Sequence, residues 1–245
     1  MNTAVVIMSK IPLPGYTKTR LMSVLSSQEC VAFHRACLND IVKNITVLGL
    51  PVFLYYAPAA LEDDRLVDWQ DNSWWELNDE LFSNVSMYPQ LGKDLGERMY
   101  QASRELLSKV EAVIFLGSDL PDIPTSVLIQ AMEGLKSNDV VIAPTEDGGY
   151  YLLGIKQAHS CLFENISWGS SEVLAETLGR IKGRGLSFTL LMIGRDIDTW
   201  EDMQGYYLRG QEDVEIQNLH SYQVVLKIMK QYENHGKLSA YPNQA

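Results

Sequence analysis

Ala112-Val113-Ile114-Phe115-Leu116-Gly117-Ser118-Asp119-Leu120-Pro121-Asp122 opens as an apolar run and ends in two carboxylates three positions apart. An apolar run of this length, closed by glycine and proline, reads as a strand buried on both faces. Residues 5–8, 52–56, 140–143 and 189–193 repeat the pattern. Helical spacing fills the intervals at residues 28–48, 96–109, 125–136 and 171–182, and Ser26 with Glu29 forms a capping-box pattern before the first of these. Alternation of short buried strands with helices predicts a single α/β domain built on an open, mostly parallel, twisted sheet with helices on both faces. Such sheets bind ligands beyond the carboxyl ends of their strands, which is where Asp119 falls. Residues 59–90, with Trp69, Trp74 and Trp75, interrupt the alternation and read as a loop excursion or small β-subunit. Residues 1–209 are taken as the domain. Residues 210–245 are taken as a C-terminal appendage, with a helix from about 221 to 233 and a fraying tail around Tyr241-Pro242.

The chain has 245 residues, 46% hydrophobic and 21% charged, within the globular range. Its formal net charge of −11 repels phosphate backbones, so neither nucleic acid nor an anionic membrane is expected as a main partner. No apolar run reaches the length of a membrane span. Cys30 and Cys37 lie seven apart on one helix face and Cys161 stands alone, a pattern of buried thiols in a reducing cytoplasm. The first residues pass straight into a strand, with no signal-peptide pattern. The pattern leaves a homo-oligomer open.

Within this acidic chain the loop after the first strand is a basic island. Lys10, Lys18 and Arg20 supply charge, while Pro12, Pro14 and Gly15 fix the loop's path, and Thr19 adds a hydroxyl. Cations and backbone N–H donors held in place suit a nucleotide polyphosphate, and these cations read as exposed groups on which the unliganded fold depends little. Asp119 and Asp122, just past a buried strand, suit an oxygen-ligated Mg²⁺ or Mn²⁺, although Asp122 could instead cap the next helix. At another strand end, Glu146-Asp147-Gly148-Gly149-Tyr150 combines two carboxylates with a glycine pair. Glu146 and Asp147 are candidates for gripping sugar hydroxyls or for the general base, and Gly148, Gly149 and Tyr150 for a close-fitting pocket. Trp168-Gly169 is either that pocket's wall or part of a cap. Asp198 is a second candidate ligand, and Thr199 or Asp198 could cap the next helix, with Asp202 near its third position. The four histidines have no ligand spacing, and no serine nucleophile elbow is present.

Six ordered motifs together resemble a known family: the Lys10-to-Leu21 loop, Leu95-Gly96-Glu97-Arg98-Met99, Gly117-Ser118-Asp119-x-Pro121-Asp122, Glu146-Asp147-Gly148-Gly149-Tyr150-Tyr151, Trp168-Gly169 and Asp196-Ile197-Asp198-Thr199-x-Glu201-Asp202. They are similar to the radical-SAM/selenodomain-associated transferases, often called arsenosugar-biosynthesis glycosyltransferases, of the nucleotide-diphospho-sugar transferase superfamily. The first and last motifs also resemble guanylyltransferases for 2-phospholactate and for the molybdenum cofactor. The resemblance spans about residues 3–205 and implies a Rossmann-like, glycosyltransferase A-type fold. It implies that Lys18-Thr19-Arg20 hold the nucleotide phosphates and that Asp119 and Asp198 bind the metal. Arg98 would face the nucleotide or form a structural pair with Glu97. Trp200 departs from the family's usual proline. Glycosyl transfer from a nucleotide sugar to a small acceptor is the leading expectation, nucleotidyl transfer from a triphosphate to a phosphorylated small molecule the alternative, and a non-catalytic nucleotide-binding regulator the reading from another class.

Overall fold

In the computed structural model, which describes residues 1–57 and 79–234, the first apolar run forms β1 (Thr3–Lys10). Its alternate residues serve two cores, Val5 and Ile7 on one face of the sheet and Val6 on the other. β2 (Val52–Ala57), β3 (Val85–Pro89), β4 (Ala112–Gly117), β5 (Val140–Pro144), β6 (Tyr150–Ile155) and β7 (Phe188–Leu190) complete a seven-stranded sheet in the order β3-β2-β1-β4-β6-β5-β7. Only β6 runs antiparallel to its neighbours, β4 and β5. The helices are α1 (Ser27–Thr46), α2 (Asp79–Phe82), α3 (Leu95–Leu106), α4 (Thr125–Ser137), α5 (Val173–Gly183), α6 (Trp200–Glu212), α7 (Val214–Gln217) and α8 (His220–Asn234). α1 and α4 cover one face of the sheet, α3 and α5 the other. The central strands are apolar on both sides for this reason, as expected of a doubly wound sheet.

The capping box at Ser26 and Glu29 forms, and Cys30 and Cys37 are buried free thiols. β3 and β6 escape the sequence reading. Val85–Pro89 is a half-buried edge strand inside the stretch read as a loop excursion or small β-subunit, and Tyr150–Ile155 was absorbed into the glycine motif that precedes it. β7 is shorter than the expected 189–193; Met192 and Ile193 are 53% and 63% exposed. Trp69, Trp74, Trp75 and the tail beyond residue 234 lie outside the described residues.

The expected boundary at 209/210 falls inside α6. α8 packs on α1 through a third core that joins Cys30, Phe33 and Cys37 to Tyr206, Val225 and Met229. Asp40, 2% exposed on α1, accepts hydrogen bonds from the backbone N–H groups of His220 at 2.9 Å and Ser221 at 2.8 Å. A buried carboxylate at a helix N-terminus satisfies donors that have no partner within the helix. The C-terminal helices are thus built into the domain by the same α1 that covers the sheet. Among the described residues no helix is long and apolar enough to cross a membrane.

Candidate active site

The loop after β1 folds back over the carboxyl ends of β1 and β4. Gly15 takes a positive φ of 79° in its turn, and Lys18 adopts the left-handed conformation at φ 50°. The side chain of Lys18 is thereby buried, with its ammonium 5.6 Å from the Phe33 ring centre. Its Nζ lies 2.5 Å from Asp119 Oδ1 and 3.4 Å from Asp198 Oδ1, and donates to the Ile197 carbonyl at 2.6 Å. Burial alone would lower the pKa of Lys18, but the carboxylates of Asp119 and Asp198 outweigh it and hold the ammonium protonated. Burial likewise favours the neutral form of Asp119, and the Lys18 charge overrides it, keeping that carboxyl below its ordinary value. Asp198 is raised by burial and by Asp119, although Arg20 Nη1 stands 3.5 Å from its Oδ2. Lys18, read from sequence as an exposed phosphate cation, is corrected here: it is a buried bridge between the first and last motifs.

His34 of α1 supports the same loop. One ring nitrogen is hydrogen-bonded to Thr17 Oγ1 and the other lies 3.0 Å from Ser9 Oγ. Burial pushes its pKa down to about 3, so the imidazole is neutral. Gln90, at the end of β3, donates from Nε2 to the carbonyls of Ser9 at 3.2 Å and Tyr55 at 2.8 Å. Two carbonyls on one side of the amide fix its orientation and turn Oε1 away from the strands.

A cavity of about 470 Å³ opens between these elements, lined by Ser9, Lys10, Thr19, Arg20, His34, Gln90, Arg98 and Ser118, with Lys18, Asp119 and Asp198 at its floor. Its basic character comes from Lys10, Lys18, Arg20 and Arg98. Arg98 donates to the Gly92 carbonyl at 3.0 Å and forms no ion pair with Glu97, which accepts from the Lys93 N–H instead. Pro14 and Gly15 shape the loop but are not on the cavity wall.

Sharing Arg20, Leu95, Asp119 and Asp198 with the first cavity is a second one of about 310 Å³. Asp147, Gly149, Tyr150, Trp168, Gly169 and Asp196 line it. Asp147 Oδ1 accepts from Thr145 Oγ1 at 2.6 Å and from the Gly149 N–H at 3.0 Å, which shapes the β5–β6 turn. Gly148 has φ 89°, and a Cβ there would lie 2.1 Å from the Ser171 carbonyl oxygen; its role is close packing of loop on loop. Gly96 is similar, since its Cβ would lie 2.5 Å from Trp168 Nε1. Gly96 thus seats Trp168, whose ring meets that of Tyr150 edge-on with centres 6.4 Å apart. Asp196 carried no assigned role in the sequence reading. Burial, then the charges of Asp119 and Asp198, push its pKa up to about 7.

Two expected site residues lie elsewhere. Glu146 forms a two-pronged pair with Arg195, Nε to Oε2 at 2.8 Å and Nη2 to Oε1 at 3.0 Å, because successive residues of the turn face opposite sides. Asp122 is paired with Arg209 of α6 at 3.1 Å. Both line a separate cavity of about 960 Å³ under α6 and α7. Neither Glu146 nor Asp122 lines the two cavities that meet at Asp119 and Asp198. Asp198 does not cap α6, whose capping box is formed by Thr199 and Asp202.

An open α/β sheet with a basic cavity and a carboxylate cluster at its strand ends has the build of a nucleotide-using transferase. Residues 52–170 match the family model described as "Uncharacterized protein conserved in bacteria (DUF2064)". A 2-phospho-L-lactate guanylyltransferase from Methanocaldococcus jannaschii is 26% identical over 80% of this chain and 79% of its own length. A phosphoenolpyruvate guanylyltransferase from Chloroflexus aurantiacus is 24% identical over 78% of this chain and 88% of its own. Among solved structures, a candidate nucleotide-diphospho-sugar transferase from Desulfovibrio desulfuricans G20 superposes with a TM-score of 0.81 at 24% identity, covering 95% of this chain and 96% of that one. By class the chain is a transferase on a nucleotide-diphospho-sugar-transferase-like fold. These relatives do not carry the narrower arsenosugar-type assignment.

Proposed function

We propose that the protein is a nucleotidyltransferase, moving a nucleoside monophosphate from a nucleoside triphosphate to a small acceptor, with GTP the first donor to test. The observation that carries this reading is the group Asp119, Asp198 and Arg20 on the wall shared by a basic and an acidic, aromatic cavity, held from beneath by Lys18. A triphosphate suits the first, where Lys10, Arg20 and Arg98 gather, and the acceptor suits the second. The guanylyltransferase relatives favour nucleotidyl transfer over the glycosyl transfer expected first from sequence.

In the reaction, an oxygen of the acceptor attacks the α-phosphorus. The bond from that phosphorus to the bridging oxygen of the β-phosphate breaks, and pyrophosphate leaves with the electron pair. A phosphate monoester attacks as an anion and needs no base at neutral pH, which leaves Asp147 free to face the acceptor body. Lys10, Arg20 and Arg98 hold and orient the phosphates, and Lys18 keeps Asp119 and Asp198 in place beneath them.

Asp119 and Asp198 suit a hard divalent ion. Both stand on the wall shared by the two cavities with side chains 41% and 37% exposed, while Lys18 engages one oxygen of each. Mg²⁺ is commonly held by one or two carboxylates, with phosphate oxygens and waters completing the shell. When bound there, Mg²⁺ or Mn²⁺ would neutralise charge developing on the phosphates.

The test is a donor screen with Mg²⁺ or Mn²⁺ that identifies the released product. Pyrophosphate supports nucleotidyl transfer; a nucleoside diphosphate released from a nucleotide sugar overturns it in favour of glycosyl transfer. Asp119→Asn should keep the folded circular-dichroism spectrum and lose metal-dependent turnover, because a neutral amide is a poor hard-cation ligand. Turnover near the unmodified level at ordinary Mg²⁺ would remove Asp119 from the site.

A further inference from the structure

We infer that the acceptor presents an uncharged or cationic body to the aromatic cavity, and that acceptors carrying a carboxylate there are turned away. The inference rests on the nucleotidyl-transfer reading and adds the chemistry of the second substrate. Charge is segregated between the two cavities. The first gathers Lys10, Lys18, Arg20 and Arg98. Of the described residues lining the second, Arg20 alone is basic, and its guanidinium already stands 3.5 Å from Asp198. Facing it are Asp147 and Asp196, with Asp119 and Asp198 on the shared wall.

A metal ion and the nucleotide phosphates concern that shared wall, whereas Asp147 lines only the second cavity. A carboxylate entering beside Asp147 meets like charge there, the repulsive element by which binding sites reject a wrong partner. Across the cavity stand Trp168 and Tyr150, their ring planes at 81°. An aromatic face beside carboxylates favours an ammonium group through its quadrupole, and it packs equally against the C–H face of an uncharged sugar. The arrangement is closely packed, since Gly96 and Gly148 admit Trp168 and Ser171 closer than any side chain would allow.

The experiment uses the full chain with GTP and Mg²⁺ and compares phosphate monoesters that share the attacking group but differ in body. These are 2-phospho-L-lactate and phosphoenolpyruvate (carboxylate), a hexose 1-phosphate (uncharged) and phosphoethanolamine (cationic). The uncharged or cationic compound should exceed both acids at least tenfold in kcat/KM for pyrophosphate release. Asp147→Asn, which keeps the amide oxygen for Thr145 and Gly149, should shrink that preference at least threefold while the Kd for GTP stays unchanged. Either acid being the best acceptor, or an unaltered preference in Asp147→Asn, overturns the inference.

Calorimetric binding of the same four compounds to the protein holding a non-hydrolysable GTP analogue separates the two readings. Absence of pyrophosphate release with every acceptor sinks the reaction assignment. Tighter binding of the uncharged or cationic compound still supports the cavity's preference in that case. Tighter binding of the acids, or no binding by any uncharged or cationic compound, refutes it.

Discussion

Lys18 and Arg20 are two residues apart in a basic loop, yet they have different work. The Lys18 ammonium is buried and satisfied by Asp119, Asp198 and the Ile197 carbonyl, whereas the Arg20 side chain is 67% exposed. Lys18→Met keeps the volume but leaves two carboxylates and a carbonyl without their donor. It should lower stability by about 1.5–3 kcal/mol, the range for hydrogen bonds to charged groups, and so depress Tm by several degrees without any ligand. Arg20→Ala should leave Tm unchanged and weaken nucleotide binding by a similar amount. Thermal melts with and without GTP distinguish the two, and equal melting curves for both variants would show that Lys18 is not structural. Glu146 is the complementary case. Its pair with Arg195 is half-exposed and outside the two cavities that meet at Asp119 and Asp198, so Glu146→Gln should change stability by at most about 1 kcal/mol and leave turnover within about twofold. A large fall in kcat would return Glu146 to the catalytic group.

At the scale of elements, the aromatic cavity depends on how the start of α3 meets the loop that carries Trp168. Gly96 sits in the first turn of α3, where a methyl group would lie 2.2 Å from the Phe163 carbonyl oxygen and 2.5 Å from Trp168 Nε1. Neither neighbour can yield without moving the loop. Gly96→Ala should therefore cost about 1–3 kcal/mol, as overpacking does, and raise the KM for acceptor more than the KM for nucleotide. Equal effects on both Michaelis constants would mean that Trp168 does not shape the acceptor site. Sequence reading recognised the Leu95-Gly96 motif without its purpose, because the partner of that glycine lies some seventy residues further on. The same limit hid β6: an antiparallel strand entered through a tight turn differs from its parallel neighbours only in its pairing.

The whole molecule carries a net charge of −11, and its strand ends concentrate Asp119, Asp196 and Asp198 around one lysine. A nucleotide brings more negative charge to that place. Nucleotide and divalent ion should accordingly bind with positive coupling, typically about 1–3 kcal/mol. At a hundredfold excess over Kd, ligand binding stabilises a fold by about 2.7 kcal/mol, which for this chain length raises Tm by about 5–10 °C. GTP with Mn²⁺ should show that rise while either alone shows much less, and Asp119→Asn should abolish the synergy. Strictly additive shifts in the unmodified protein would rule out a metal shared by carboxylate and phosphate.

The apolar runs and their helical intervals determined by themselves a doubly wound sheet, the capping boxes and the strand ends where Asp119 and Asp147 lie. These are local properties, set by periodicity and by which backbone groups need partners. Tertiary structure alone decided which charged groups pair. Lys18 meets Asp198 across 180 residues, Asp122 meets Arg209 across 87, and Glu146 meets Arg195 across 49. Each pairing depends on which way a side chain leaves its loop and on what the next layer brings opposite it. For the same reason the C-terminal helices read as an appendage, although in the fold α8 stands on α1 and places its first backbone donors on the buried carboxylate of Asp40.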